Sequence, residues 1–207
     1  MAAKLIQNTF DFGYFLGEPP QVLEIKLNDA KTFIEKWHYS KLVPAGHNIF
    51  FGWFIDGDLY AIANYGIGVN TFQSSFLSKE TGFNVKDENL VELKRLCRRE
   101  PRNDNFPLTK FLSICHKKLK KMKYEYVVFF SDPEHKHNGG IYKASNFKHL
   151  GTTRPEIHFV GKDGEFIHRK MPRHYQQKTG LTFKESVKAL NLTPRITKPK
   201  DRWFIKI

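Results

Sequence analysis

The sequence predicts a mixed α/β fold: a single domain with a central, mostly antiparallel sheet flanked by helices. Three observations carry that expectation. Residues 124–130 form an almost continuous apolar run, the pattern of a central strand buried on both faces. Residues 48–55 and 59–65 are two aromatic and β-branched runs joined by Asp56-Gly57-Asp58, which reads as a β-hairpin. Residues 107–122 open on Pro107, whose missing N–H costs nothing in a first helical turn. They carry Leu108, Phe111, Leu112, Cys115 and Leu119 on one face at helical spacing.

The remaining elements fall around these. Residues 22–27 alternate like a half-buried strand, and Asn28 or Asp29 then caps a helix to about Trp37 whose apolar face is Ala30, Phe33, Ile34 and Trp37. Residues 66–89 mix Gly, Asn, Ser and Thr with scattered Phe and read as an irregular segment. Residues 90–97 are a strand and 139–146 a short helix. Strands are expected near 148–152, 157–161 and 165–169, the last two around Lys162-Asp163-Gly164, with a final helix at 182–190. The expected organisation is an N-terminal segment 1–20, a catalytic domain 21–170 and a basic C-terminal extension 171–207 packing on it.

Composition limits the function classes. A 40% hydrophobic and 14% aromatic chain of 207 residues supplies a sizeable core. Neither Cys97 nor Cys115 belongs to a CxxC pair, so a disulfide framework or zinc ribbon has no support, and both read as buried small hydrophobes. The absence of an apolar run of about 18 residues or of a leader pattern points to the cytoplasm and away from membranes. The net charge of +13 favours a polyanionic partner. Basic residues outnumber acidic ones by eleven to two over residues 94–123, where the lysines after Lys117 also suit a helix C-terminus.

Three constellations could carry chemistry. The first is Trp37-His38-Tyr39-Ser40 followed by Pro44-Ala45-Gly46, where His38 has the side chain whose ordinary pKa lies nearest neutrality; the plain alternative is core packing and helix termination. The second is Ser131-Asp132-Pro133 beyond the buried strand, then His135, His137, Asn138, Gly139-Gly140 and Tyr142. Asp132 can accept a proton or orient a base, or simply form a turn. Tyr142 offers a phenol or a stacking face. His135 and His137 are of metal-ligand type, but no second cluster at a recognised spacing accompanies them. The third is Arg95, Arg98, Arg99, Arg102 and Asn103 ahead of Pro107, suited to DNA or donor phosphate because the planar guanidinium fork matches a phosphate.

Taken in this order, the pieces resemble the Mom family of phage DNA modification proteins. The matching residues are Trp37-His38-Tyr39-Ser40 with Pro44 and Gly46, Phe51-Gly52, Tyr65-Gly66, Leu93, Arg95, Leu96 and Arg102-Asn103. They continue from Ser131-Asp132-Pro133 through His137, Gly139-Gly140, Ile141-Tyr142, Ala144, Asn146-Phe147 and Gly151-Thr152. The stretch from Asp132 to Thr152 is the most specific. The resemblance implies an N-acetyltransferase-like fold, double-stranded DNA as partner, and conversion of adenine to N6-carbamoylmethyladenine. It carries His38, Tyr39, Arg95, Asp132 and Tyr142 over as active-site residues.

One departure bears on the donor. Acyl-CoA enzymes of this fold place a Gly-rich loop before the central helix, whereas residues 98–105 contain no glycine. The donor therefore stays open between an acyl donor such as acetyl-CoA and a group borne on an aminoacyl-tRNA. Two other functions compete: an acyl-CoA-dependent N-acetyltransferase acting on a protein or small amine, and a non-catalytic DNA-binding module. The module is disfavoured by the lack of a helix-turn-helix or zinc-finger pattern.

Overall fold

The computed structural model describes residues 20–66, 71–101, 105–135 and 139–207. The fold is mixed α/β, its strands mostly antiparallel and flanked by helices. The chain divides into two compact units: Met1–Ile67 with Lys94–Lys118, and Gly68–Leu93 with Leu119–Ile207.

In the first unit, β1 (Gln21–Glu24) pairs antiparallel with β2 (Asn48–Ile55), and β2 with β3 (Asp58–Gly66). The hairpin is tighter than expected: Ile55 pairs with Asp58, leaving a two-residue Asp56-Gly57 loop. Both loop residues have positive φ, +51° and +81°, the combination whose twist matches the flanking strands and which Asp-Gly tolerates well. Next in hydrogen-bonded order comes β4 (Leu90–Arg98), whose Lys94–Arg98 half belongs to this unit.

Helix α1 (Leu27–Trp37) starts earlier than its expected cap. Lys26 is the N-cap without a side-chain bond, and Asp29 lies inside the first turn, where a carboxylate is favoured by the helix dipole. Its buried Ala30, Phe33 and Ile34 pack on Phe50, Ile62 and Cys97, with Trp37 partly buried beside them. Helix α3 (Leu108–Lys121) buries Phe111, Leu112 and Cys115 as its spacing requires, and Phe111 stacks on Trp53 with centroids 5.4 Å apart.

In the second unit, the Leu90–Leu93 half of β4 pairs in parallel with β5 (Tyr126–Ser131), Leu90 opposite Tyr126. Residues 124–130 thus hold the buried strand that their composition predicts, offset by a residue or two. Strand β6 (Lys148–Thr152) does not lie beside β5. Between them sits β10 (Asp201–Lys206), antiparallel to both. The core joins Leu77, Val85, Leu90, Tyr126, Val128 and Phe204. Residues 66–89 are not wholly irregular, since α2 (Thr71–Thr81) occupies their middle. Between β5 and β6 stands α4 (Gly140–Ala144). A small sheet of β7 (Ile157–Val160), β8 (Phe166–Ile167) and β9 (Thr193–Ile196), together with α5 (Met171–Thr179) and α6 (Phe183–Ala189), makes up most of the C-terminal region.

Burial has a measurable consequence at His116 on α3, whose imidazole is pushed down from 6.5 to about 4 by desolvation. In the unfolded chain it titrates near its ordinary value. Between the two values the unfolded state therefore holds a proton that the folded state lacks. The stabilisation is full above about pH 6.5 and is lost as pH falls toward about 4. Urea melts at pH 7 and 4.5 should show His116→Leu losing about 2 kcal/mol less than the wild type over that interval. Equal losses would refute the burial argument.

Candidate functional site

His38, Tyr39 and Ser40 stand at the end of α1. His38 closes that helix, its N–H donating to the Ile34 carbonyl at 2.9 Å, and its side chain is buried. The Ser40 backbone N–H donates to His38 Nδ1 at 3.1 Å, and Ser40 Oγ lies 2.8 Å from the same nitrogen. Because a backbone N–H can only donate, Nδ1 is an acceptor and the neutral ring carries its proton on Nε2. Tyr39 lies against the imidazole with centroids 4.3 Å apart, yet it is 47% exposed, so it presents aromatic surface to solvent.

Strand β4 clamps the loop that follows. Arg95 Nε donates to the Leu42 carbonyl at 3.3 Å and Nη1 to the Lys94 carbonyl at 2.7 Å. Lys94 Nζ donates to the Ala45 carbonyl at 3.3 Å, and its stem lies over Gly66 where any Cβ would overlap it. Arg95 thus acts through the backbone of the His38-bearing loop, and Lys94 has the same role without having been singled out in the sequence. Arg99 Nη1 is 3.1 Å from Asp58 and Arg98 Nε 3.7 Å from Glu100, with partners that are mostly exposed. Such surface pairs are worth little and can exchange for a phosphate. Arg102 and Asn103 lie outside the described residues.

Both thiols of this unit are inert. Burial pushes Cys97 up to about 12, outweighing the opposite pull of Arg95. The Cys115 thiol is also pushed up by burial, although a hydrogen bond with Tyr65 and the charge of Lys118 act the other way. Neither supplies a thiolate at neutral pH.

The candidate residues of the second unit cluster past the carboxyl end of β5. Asp132 Oδ1 accepts the Glu134 N–H at 3.0 Å, a turn that leaves Oδ2 3.9 Å from Lys200 Nζ. Glu134 in turn accepts from Lys198 N and Arg195 Nη2, both at 3.0 Å, so residues 195–200 tie down the Asp132 turn. Tyr142 is buried, stacked on Phe129 at 3.9 Å and edge-on to Phe147 at 5.7 Å.

Behind these residues is a network the sequence did not reveal. Trp203 Nε1 donates to Ser131 Oγ at 2.9 Å, Ser131 Oγ is 3.5 Å from Asp201, and Asp201 Oδ1 is 3.1 Å from His149 Nε2. Gly139, at φ +71°, caps α4 with its Cα against the Trp203 ring, where a Cβ would overlap. His137 and Asn138 lie outside the described residues, and so does all but the backbone of His135. Among the described residues no group of three or more His, Cys, Asp or Glu is arranged to hold a metal ion.

The Mom protein family matches this chain over residues 20–204. Comparison with curated proteins gives no match. Among solved structures the chain is similar to the ribosomal-protein-S18-alanine N-acetyltransferase of Escherichia coli, at 8% identity and TM-score 0.53 over 91% of this chain and 94% of that one. It is also similar to an N-acetyltransferase of Staphylococcus aureus Mu50, at 11% identity and TM-score 0.51, covering 91% and 99%. A putative acetyltransferase of the GNAT family from Desulfovibrio desulfuricans gives 10% identity and TM-score 0.52, covering 91% and 99%. At these identities the likeness establishes the fold, and it is the N-acetyltransferase-like fold that the sequence led us to expect. Among the described residues no helix is long and apolar enough to cross a membrane.

The packing at Gly139 can be tested directly. Gly139→Ala places a Cβ at positive φ and into the Trp203 ring, so it should cost about 1–3 kcal/mol in a denaturant melt and alter tryptophan emission. A variant with wild-type stability and emission would show that α4 does not rest on that ring.

Proposed function

The chain belongs to the Mom protein family, and on that premise we propose that it is a DNA-modifying transferase that places a substituent on the exocyclic amine of adenine in double-stranded DNA. The product named by the resemblance is N6-carbamoylmethyladenine. The single observation that carries this reading is the family match over residues 20–204. The net charge of +13 suits the same polyanion.

The chemistry needs a base, because the adenine amine is a poor nucleophile whose lone pair is delocalised into the ring. Asp132 is the base in this reading: the Glu134 N–H holds Oδ1, and Oδ2, with Lys200 Nζ 3.9 Å away, takes the proton as the amine bonds to the electrophilic carbon of the donor and that carbon's bond to its carrier breaks, the carrier leaving with the electron pair. His38, with Nδ1 occupied by Ser40, acts as a donor through Nε2–H. Tyr142 contributes its hydroxyl, since its ring is buried against Phe129. The stacking role for an extruded base falls to the exposed Tyr39.

The donor is a small molecule or a group carried on tRNA. Residues 98–105 lack the glycines that let a backbone cradle a pyrophosphate, and what their sequence offers is the side chains of Arg98, Arg99 and Arg102. No step of the reaction is assigned to coenzyme A. The second reading, an N-acetyltransferase acting on a protein or small amine, draws its support from the fold shared with the Escherichia coli and Staphylococcus aureus enzymes.

Nucleoside mass spectrometry of DNA from expressing cells should reveal a heavier, N6-substituted deoxyadenosine. Asp132→Asn, Tyr142→Phe and His38→Ala should each lower its yield about 10²–10⁴-fold with thermal melts close to wild type. Unmodified DNA alongside an acetylated protein or amine would replace this reading with the second one. Full yield in three folded variants would remove the residue assignments while leaving family membership untouched.

A further inference from the structure

The C-terminal region carries a cavity that none of the candidate residues touches. Its volume is about 460 Å³, within the range of small-ligand sites. Its apolar lining comes from Ile157, Phe159 and Phe183, and its charged rim from Arg169, Lys170 and Arg173 with Glu156. Phe159 is buried, whereas Phe183 is 40% exposed with its ring 6.2 Å from that of Phe159, so Phe183 presents an open aromatic surface over an apolar floor.

The rim is cationic and largely uncommitted. Glu156 is already engaged, with Arg169 Nη2 at 3.3 Å and His158 Nε2 at 3.2 Å, and these neighbours hold its carboxyl below the usual range against the opposing effect of its own partial burial. The side chains of Lys170 and Arg173 have no ion-pair partner among the described residues. Both stand at the start of α5, where Lys170 is an N-cap without a side-chain acceptor, so the positive end of the helix dipole adds to the same rim.

We propose that this cavity binds one unpaired nucleotide of a nucleic-acid strand, its phosphate on Lys170 and Arg173 and its base on Phe183. An open aromatic ring beside two cations without an ion-pair partner among the described residues matches the two halves of a nucleotide: base stacking is tolerant of sequence, and phosphate is gripped by charge. An acidic peptide would use the cations but not the ring. A neutral aromatic ligand would leave the cations unused. The site is separate from adenine modification and stands or falls without it.

The test is binding of a labelled single-stranded deoxyadenosine 12-mer to the full chain, followed by fluorescence anisotropy across salt. Lys170→Ala with Arg173→Ala should weaken binding at least tenfold and reduce the log–log salt slope by about 0.7, the contribution of the one single-strand phosphate contact that the pair makes. Phe183→Leu should weaken binding several-fold with the slope unchanged, and Phe183→Tyr should restore it. Millimolar dAMP should displace the strand better than inorganic phosphate at the same concentration, separating a nucleotide site from a bare anion site. The proposal is overturned if the wild type does not bind the strand, if either variant, shown folded by its thermal melt, binds like wild type, or if phosphate competes as well as dAMP. Nucleoside mass spectrometry on the same variants reads adenine modification independently.

Discussion

The second unit depends on one buried hydrogen bond, from the indole N–H of Trp203 to the hydroxyl of Ser131. Ser131 ends β5 and Trp203 lies on β10, the last strand of the chain, so the bond locks residues 72 positions apart into register. A buried indole N–H without an acceptor would cost more than the bond itself is worth, so the pairing is exacting. The same ring excludes any side chain at Gly139 and lies beside Tyr142 at 6.1 Å and His149 at 4.9 Å. Fixing Trp203 therefore fixes the entry to α4, and with it the position of Tyr142.

In the first unit the corresponding constraint is made by cations. Lys94 and Arg95 send their side chains to the carbonyls of Ala45 and Leu42, spanning about fifty residues of sequence to hold the loop after His38. Charged donors make stronger hydrogen bonds than neutral ones, and here they satisfy loop carbonyls that no strand pairs. Basic residues that look like a polyanion footprint in the sequence thus divide into two groups. Lys94 and Arg95 hold a loop, whereas Arg98 and Arg99 make ion pairs with mostly exposed carboxylates.

The C-terminal residues divide in the same way. Arg202 lies 4.1 Å over the Phe76 ring with its guanidinium shielded, which lowers its pKa against the pull of Glu80. Arg195 and Lys200 face Glu134 and Asp132. Arg195 and Lys200 thus support the Asp132 turn from outside.

Elements with local signals are legible along the chain. Asp56-Gly57 specified the hairpin because few dipeptides accept two positive φ values, the 3.6-residue stripe specified α3, and the apolar run of residues 124–130 specified β5. Helix α2 escaped because its apolar residues form no continuous stripe, although Leu77 is fully buried. Asp132, Tyr142 and His38 were legible as candidates through their order along the chain. Trp203, His149, Asp201 and Lys94 were not, because their roles come from pairings across long stretches of sequence. Long-range packing sets β10 between β5 and β6, buries Tyr142 while leaving Tyr39 exposed, and selects which arginines are spent on carbonyls and carboxylates. Each of these outcomes is settled by which distant groups come within hydrogen-bond or van der Waals distance, and local spacing carries no record of that.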